Sequence, residues 1–195
     1  MRQSKLSRKT QETQIDVSIK LDGSGESEVS TGIGFLDHML TLFSRHSGID
    51  LKIQSEGDLI VDGHHTVEDT GIVIGQVIAR ALGDKKGIER YGYAVIPMDE
   101  AMLEAVIDMS GRPYIVFNAD FGSPSVGDFD TQLTEEFFRA LAFNAGITLH
   151  LSCRYGRNDH HIIEGMFKAF ARALRQAIKI DQANADRIPS TKGVL

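Results

Sequence analysis

Two short elements of the chain, His64-His65-Thr66-Val67-Glu68 and His160-His161-Ile162-Ile163-Glu164, share the pattern His-His-x-x-Glu. On a helix, residues four apart project from one face, one turn apart. His64 with Glu68, and His160 with Glu164, therefore each aim an imidazole nitrogen and a carboxylate oxygen at a common point, a donor pair suited to a divalent cation. His65 and His161 point about 100° further round the helix and are better placed to ligate a second ion. Two metal sites, with each element contributing to both, is the economical arrangement. A lone His-His pair on a surface helix is usually solvated and idle. A second copy with Glu at the same spacing reverses that reading, and four of the seven histidines fall in these two elements.

The rest of the ligand set is expected from an internal repeat. Sliding the chain by 98 residues places Gly48-Ile49-Asp50-Leu51 on Gly146-Ile147-Thr148-Leu149 and Val17-Ser18-Ile19 on Ile115-Val116-Phe117; a shift of 96 superposes the two His-His-x-x-Glu elements. The repeat pairs His38 with Glu136, each near the start of a helix and each followed by two apolar residues. The predicted metal set is thus His38, His64, His65, Glu68, Glu136, His160, His161 and Glu164, about four ligands per ion. Imidazole and carboxylate without thiolate favour Mn, Fe or Zn over Ca and leave open positions for a substrate. Anion-binding candidates are Lys168, one turn beyond Glu164, Arg90 and Arg112 at Gly-rich turns, and Ser190 and Lys192 in the tail. His150, aligned with Lys52 inside a strand, and Cys153, in an apolar run, are assigned structural roles.

These residues need elements to hold them. Apolar periodicity predicts helices over 66–82 and 162–178, with shorter ones over Phe35–Arg45 and Leu133–Ala145. Val- and Ile-rich or alternating runs predict strands at Gln14–Leu21, Ile49–Gln54, Tyr93–Met98, Met102–Met109, Tyr114–Ala119 and Ile147–Cys153. Gly-containing breaks at 22–25, 83–87 and 122–127 separate them, and short turns such as Ser110-Gly111-Arg112-Pro113 join neighbouring strands. That pattern predicts an α+β fold in one domain, residues 1–195, internally duplicated as two similar strand/helix halves of about 10–88 and 89–182.

Composition sets the outer limits. The chain has 195 residues, 42% hydrophobic and 25% charged, ordinary for a globular protein. A net charge of -6 argues against nucleic-acid binding. No apolar run approaches the roughly eighteen residues needed to span a bilayer, and the polar start does not read as a secretory signal. One cysteine excludes an intrachain disulfide and fits a reducing cytoplasm.

Taken together, the motifs closely resemble the imidazoleglycerol-phosphate dehydratase family, lyases of histidine biosynthesis. The resemblance runs over nearly the whole chain, through Arg8-Lys9-Thr10-Gln11-Glu12-Thr13, Gly34-Phe35-Leu36-Asp37-His38-Met39-Leu40, Asp62-Gly63-His64-His65-Thr66-Val67-Glu68-Asp69, Pro97-Met98-Asp99-Glu100-Ala101, Ser110-Gly111-Arg112-Pro113 and Asn158-Asp159-His160-His161-Ile162-Ile163-Glu164. It implies a monofunctional enzyme with helices packed between sheets, two Mn²⁺ per active site (Fe²⁺ or Zn²⁺ as substitutes), and active sites at the subunit interfaces of an octahedral homo-oligomer of twenty-four chains. Many members carry histidine where this chain has Glu136, a carboxylate that can still ligate.

The implied reaction converts D-erythro-imidazole glycerol 3-phosphate to imidazole acetol phosphate. Its difficulty is a C–H with no adjacent carbonyl, so the acidity must come from the ring, through a diazafulvene-like intermediate. Glu12, on a mobile N-terminal arm, matches the general acid/base position, a task Glu164 shares. Asp99 is matched to a hydrogen bond with the ring or hydroxyl. Arg90, Arg112, Lys168, Ser190 and Lys192, the last two on a flexible C-terminal tail, match the phosphate-binding positions. Glu12, His38, His46, His64, Glu68 and His160 complete the implied substrate-binding set. Two alternatives share the scaffold: a di-metal phosphoester hydrolase, and an assembly in which the ions only join subunits.

Overall fold

The computed structural model describes residues 1–195. The first half runs β1 (Gln3–Lys9), β2 (Thr13–Lys20), β3 (Ser27–Ser30), α1 (Gly34–Ser47), β4 (Asp50–Gly57) and α2 (His64–Leu82). The second repeats that order as β5 (Tyr91–Met98), β6 (Ala101–Asp108), β7 (Tyr114–Asn118), α3 (Leu133–Ala145), β10 (Thr148–Tyr155) and α4 (Asp159–Ala177), with a small hairpin, β8 (Ser125–Val126) and β9 (Phe129–Asp130), inserted before α3. The sheets have matching strand orders, β1-β2-β4-β3 and β5-β6-β10-β7. In each, the first three strands pair antiparallel and the last pairs parallel to its neighbour.

Strand alternation explains why helices lie between the sheets. In β2 and β4 every second residue is buried (Ile15, Val17 and Ile19; Leu51 and Ile53), and β6 and β10 repeat this with Leu103, Ala105 and Ile107 and with Leu149 and Leu151. Each sheet thus has one face that must be covered. α2 covers β1 and β2 while α4 covers β5 and β6; α2 packs on α3 and α4 on α1, which locks the halves together. At the centre Phe43, Phe137, Phe138, Phe167 and Phe170 join in one aromatic cluster with centroid separations of 4.7 to 5.7 Å.

The Gly-Ile repeat has a backbone reason. Gly48 and Gly146 terminate α1 and α3 with φ of 76° and 66°, and each N–H closes its helix on the carbonyl of Ser44 or Ala142. Only glycine enters that left-handed region without strain. The 98-residue shift is therefore correct for α1/α3 and β4/β10, but its pairing of Val17-Ser18-Ile19 with Ile115-Val116-Phe117 joins β2 to β7. By position in the sheets β2 corresponds to β6, with Thr13 matching Ala101, and β3 corresponds to β7.

Three strand pieces are absent from the sequence expectations: β1, β3 and the β8–β9 hairpin. Residues 3–9, expected in a mobile arm, form edge strand β1, paired residue by residue with β2. Its sequence, Gln-Ser-Lys-Leu-Ser-Arg-Lys, holds one large apolar residue, because one face meets solvent and lysines guard the open edge.

α2 and α3 approach closely at two glycines. A Cβ on Gly71 would sit 2.7 Å from the Phe137 carbonyl oxygen, and one on Gly75 would sit 2.5 Å from that of Leu141. Gly75→Ala should gain about 1 kcal/mol of helix propensity and lose more to overpacking, for a net destabilisation of about 1–2 kcal/mol. Thermal unfolding of the assembled protein measures this; an unchanged or raised midpoint would contradict it.

Candidate metal centre and active site

Each His-His-x-x-Glu element opens a helix that an Asx side chain starts. Asn158 Oδ1 accepts from the backbone N–H of His160 and His161, at 3.0 and 3.4 Å, and Asp62 Oδ1 accepts from His64 N–H at 2.8 Å. The Asn158 cap on α4 and the Asp62 Asx turn before α2 orient the first turns, where the histidines stand. His160 and Glu164 project from one face of α4, as their spacing requires, and meet His38 from α1. Nε2 of His38 and Nε2 of His160 lie 3.2 and 3.1 Å from the same Glu164 oxygen, and one donor atom from each residue falls within 4.8 Å of the others. Two imidazoles and a carboxylate converging so suit a first-row divalent cation.

Glu164 is only 6% exposed. Burial raises its pKa, but the hydrogen bonds from Lys168 and His160 and the Lys168 charge outweigh that, leaving it below the ordinary carboxylate value. Lys168 Nζ donates to the second carboxylate oxygen at 2.6 Å. His46, two turns along α1 from His38, is held toward its neutral form by burial and by the Lys168 and Arg172 charges. Phe35 packs edge-on against His160 with centroids 5.2 Å apart. A cleft of about 720 Å³ opens here, lined by Phe35, His38, His64, Phe129, Leu133 and His160.

The second histidine of each pair faces elsewhere, as its angle on the helix predicts. His65 Nδ1 lies 3.1 Å from Asp58, and its Nε2 lies 3.9 Å from Glu12. His161 Nδ1 lies 2.7 Å from Glu100, and its Nε2 lies 3.7 Å from Asp99. In both, the hydrogen bond to the carboxylate behind the ring raises the imidazole pKa. Glu100, which also accepts from the N–H groups of Arg157 and Asn158, is lowered to about 2, chiefly by His161. Asp58 and Glu100 escaped the sequence reading. The signal for them was weak: an acidic residue near a turn, with no spacing linking it to the histidine it backs.

Not every candidate joins the convergent group. His64 lines the cleft and stands 3.8 Å from Glu68, both over two-fifths exposed. Glu136 leans toward Arg139 on its own helix, at 3.8 Å. The structure thus assembles one three-donor cluster within the chain, where about four ligands per ion were expected. His150 lies on the exposed face of β10, and Cys153 is partly buried against the core.

The anion candidates divide into two places. Lys168 is with Glu164. Arg90, in a left-handed conformation at φ 72°, grips Asp108 with Nε and Nη2 at 2.7 and 3.1 Å and donates to the Pro189 carbonyl at 2.8 Å. Arg112 reaches the same Asp108 at 3.7 Å, and Ser190 Oγ accepts from Lys192 N–H. This basic group sits where Tyr91 pairs with Asp108, whereas Asp99, Glu100 and His161 sit at the other end of the same hairpin, where Met98 pairs with Ala101. Seven residues of strand separate the two ends, about 23 Å at 3.3 Å per residue.

The sequence model described as imidazoleglycerol-phosphate dehydratase matches residues 31–174. The chain belongs to the imidazoleglycerol-phosphate dehydratase family. Among curated dehydratases it is 58% identical to that of an Exiguobacterium species, covering 99% of this chain and 98% of the relative. It is 59% identical to that of Lactococcus lactis subsp. lactis, covering 98% of each. The crystal structure of the Staphylococcus aureus dehydratase superposes with a TM-score of 0.84 at 47% identity, over 92% of this chain and 99% of that one. That from Pyrococcus furiosus, in complex with (S)-C348, gives 0.84 at 36% identity over 97% and 100%. The family is metal-dependent, which agrees with the donor chemistry of His38, His160 and Glu164.

Carboxylates behind ligating histidines fix the ring and typically matter 10- to 100-fold for metal affinity. With His161 as a ligand, as its place on the helix leads one to expect, Glu100→Ala should weaken divalent-metal binding by about 10-fold or more with the fold retained. Calorimetric titration of the metal-stripped protein reads this directly; equal affinity in both proteins would remove His161 from the ligand set.

Proposed function

We propose that the chain dehydrates D-erythro-imidazole glycerol 3-phosphate to imidazole acetol phosphate in L-histidine biosynthesis. Family membership over nearly the full length supports this reaction. The observation that carries it to particular residues is the meeting of His38 and His160, which line a cleft, with the buried Glu164 that Lys168 braces. The phosphoester-hydrolase alternative has no support among the relatives.

Two Mn²⁺ per site are the proposed complement, with Fe²⁺ or Zn²⁺ as substitutes, held by His38, His64, His65, Glu68, Glu136, His160, His161 and Glu164. Bound metal supplies Lewis acidity that binds and polarises an imidazole ring. The chain's own groups then divide the remaining work. Glu12, with the ionised Glu164 sharing the base's work, takes the proton from the second carbinol carbon, next to the ring-attached one. Asp99 hydrogen-bonds the ring-attached hydroxyl, which leaves as water with the proton that Glu12 returns. Loss of that water leaves an enol, which becomes the ketone by proton transfer. Lys168 keeps Glu164 ionised through its short hydrogen bond. Arg90, Arg112, Lys168, Ser190 and Lys192 hold the phosphate.

A glycerol phosphate arm is far shorter than the roughly 23 Å between the basic group and the His161 end of the hairpin, so one chain does not present both to one substrate. This supports active sites shared between copies, within the octahedral assembly of twenty-four chains that the family resemblance implies. No helix of the chain is long and apolar enough to cross a membrane; a cytoplasmic location follows from the single cysteine and the pathway.

Stripping the metal should abolish turnover and reduce particle size, and adding Mn²⁺ should restore both. Glu12→Gln should lower kcat at least about 100-fold, the scale of a general acid/base contribution, with particle size and bound metal unchanged. Recovery of an intact phosphorylated ketone fits this reading; release of inorganic phosphate in its place would sink it.

A further inference from the structure

The two halves differ at the buried site beneath the turn of their first hairpins. Beneath the β1–β2 turn, Thr13, Ser55, Thr66, Asp69 and Thr70 are all buried, and Arg8 reaches in to pair with Asp69. Thr13 Oγ1 donates to Asp69 Oδ2 at 2.5 Å. The positions that match these by strand register and helix alignment in the second half are Ile96 for Arg8, Ala101 for Thr13, Cys153 for Ser55, Ile162 for Thr66, Gly165 for Asp69 and Met166 for Thr70. The same architecture therefore packs there with no charge at all. A buried ion pair is seldom a gain over apolar residues of similar volume. Structure alone does not require this one.

The turns above these two sites explain the difference. Glu12 and Glu100 occupy matching positions. Glu100 spends its carboxylate on structure, accepting from Arg157 N–H, Asn158 N–H and His161, so it ties its own turn to α4. Glu12 makes no such bonds, and its side chain is over half exposed with one oxygen 3.9 Å from His65 Nε2. A carboxylate left free for proton transfer cannot also anchor its turn. The anchoring comes from below: Thr10 Oγ1 accepts from Glu12 N–H and Thr13 N–H, and Thr13 and Arg8, on either side of the turn, are gripped by Asp69. Asp69 stands on α2 directly after Glu68, on the helix that carries His64 and His65.

We propose that Asp69, acting through Thr13 and Arg8, is a positioning residue that registers the Glu12 carboxylate against the first turn of α2. It rests on the reading of Glu12 as the acid/base group, and the test separates the two. In the assembled Mn²⁺ enzyme, Thr13→Val should lower kcat by about 100-fold, the cost of a misplacement near an ångström, with KM and bound metal held. Amide exchange at residues 10–13 should quicken, and Thr13→Ser should restore both. In a Glu12→Gln background the same Thr13→Val change should cost nothing more. The apolar set of the second half gives a further check: Arg8→Ile/Thr13→Ala/Asp69→Ala should hold or raise the melting temperature while kcat still falls. Equal losses from Thr13→Val with and without Glu12 would overturn the proposal, as would full activity, or failure to assemble, in the triple variant. Full activity in Glu12→Gln alone would remove Glu12 from the chemistry, and the proposal with it.

Discussion

A carboxylate closed off from water has to be compensated by donors or positive charge, and Glu164 imposes that condition on the centre of this molecule. It is met from two helices: Lys168 and His160 on α4, and His38 across the interface on α1. The compensation is asymmetric in a useful way. One oxygen takes the lysine, and the other faces two imidazole nitrogens. The α1–α4 contact, itself required to cover two sheet faces, thereby places three donors suited to a metal ion at one point. Packing and chemistry use the same contact.

Duplication supplies the frame, and the halves spend it differently. Both open their second helix with two histidines, end their first helix at a left-handed glycine, and carry a glutamate at the turn of their first hairpin. In the second half that glutamate holds the backbone and the core beneath it is apolar. In the first half the glutamate is free and the core beneath it is polar. One carboxylate thus acts as a brace while its counterpart faces solvent. The basic residues at the far end of the second hairpin lie too distant to serve the same pocket, which is coherent with a site completed by another copy.

Much of this was legible in the residues. Four main helices appear within a few residues of their expected places, because each buries one face and shows the 3.6-residue period. α2 and α4 begin two to three residues earlier than periodicity suggests, since their first turns carry polar histidines whose start is set by Asp62 and Asn158. β1 and β3 were invisible for the opposite reason: an edge strand with one solvent face and a four-residue strand bury too little to leave an apolar pattern. The repeat was legible through Gly-Ile and His-His-x-x-Glu, but one offset could not follow the different loop lengths, and β2 was set against β7.

From its order of residues alone the chain determined an α+β duplicated fold and membership of a metal-dependent dehydratase family, and it marked the two paired histidine elements as the candidate metal ligands. Those depend on local spacing and periodicity, which survive in one dimension. Only the tertiary structure decided which donors meet: His38 joins His160 and Glu164 across 126 residues, while Glu136 leans toward Arg139, and Asp58 and Glu100 back the histidines unannounced. It also decided that Asp69, beside a predicted ligand, grips the Glu12 turn. Such contacts are set by how helices cross and sheets register, and neither is written in the spacing of neighbouring residues.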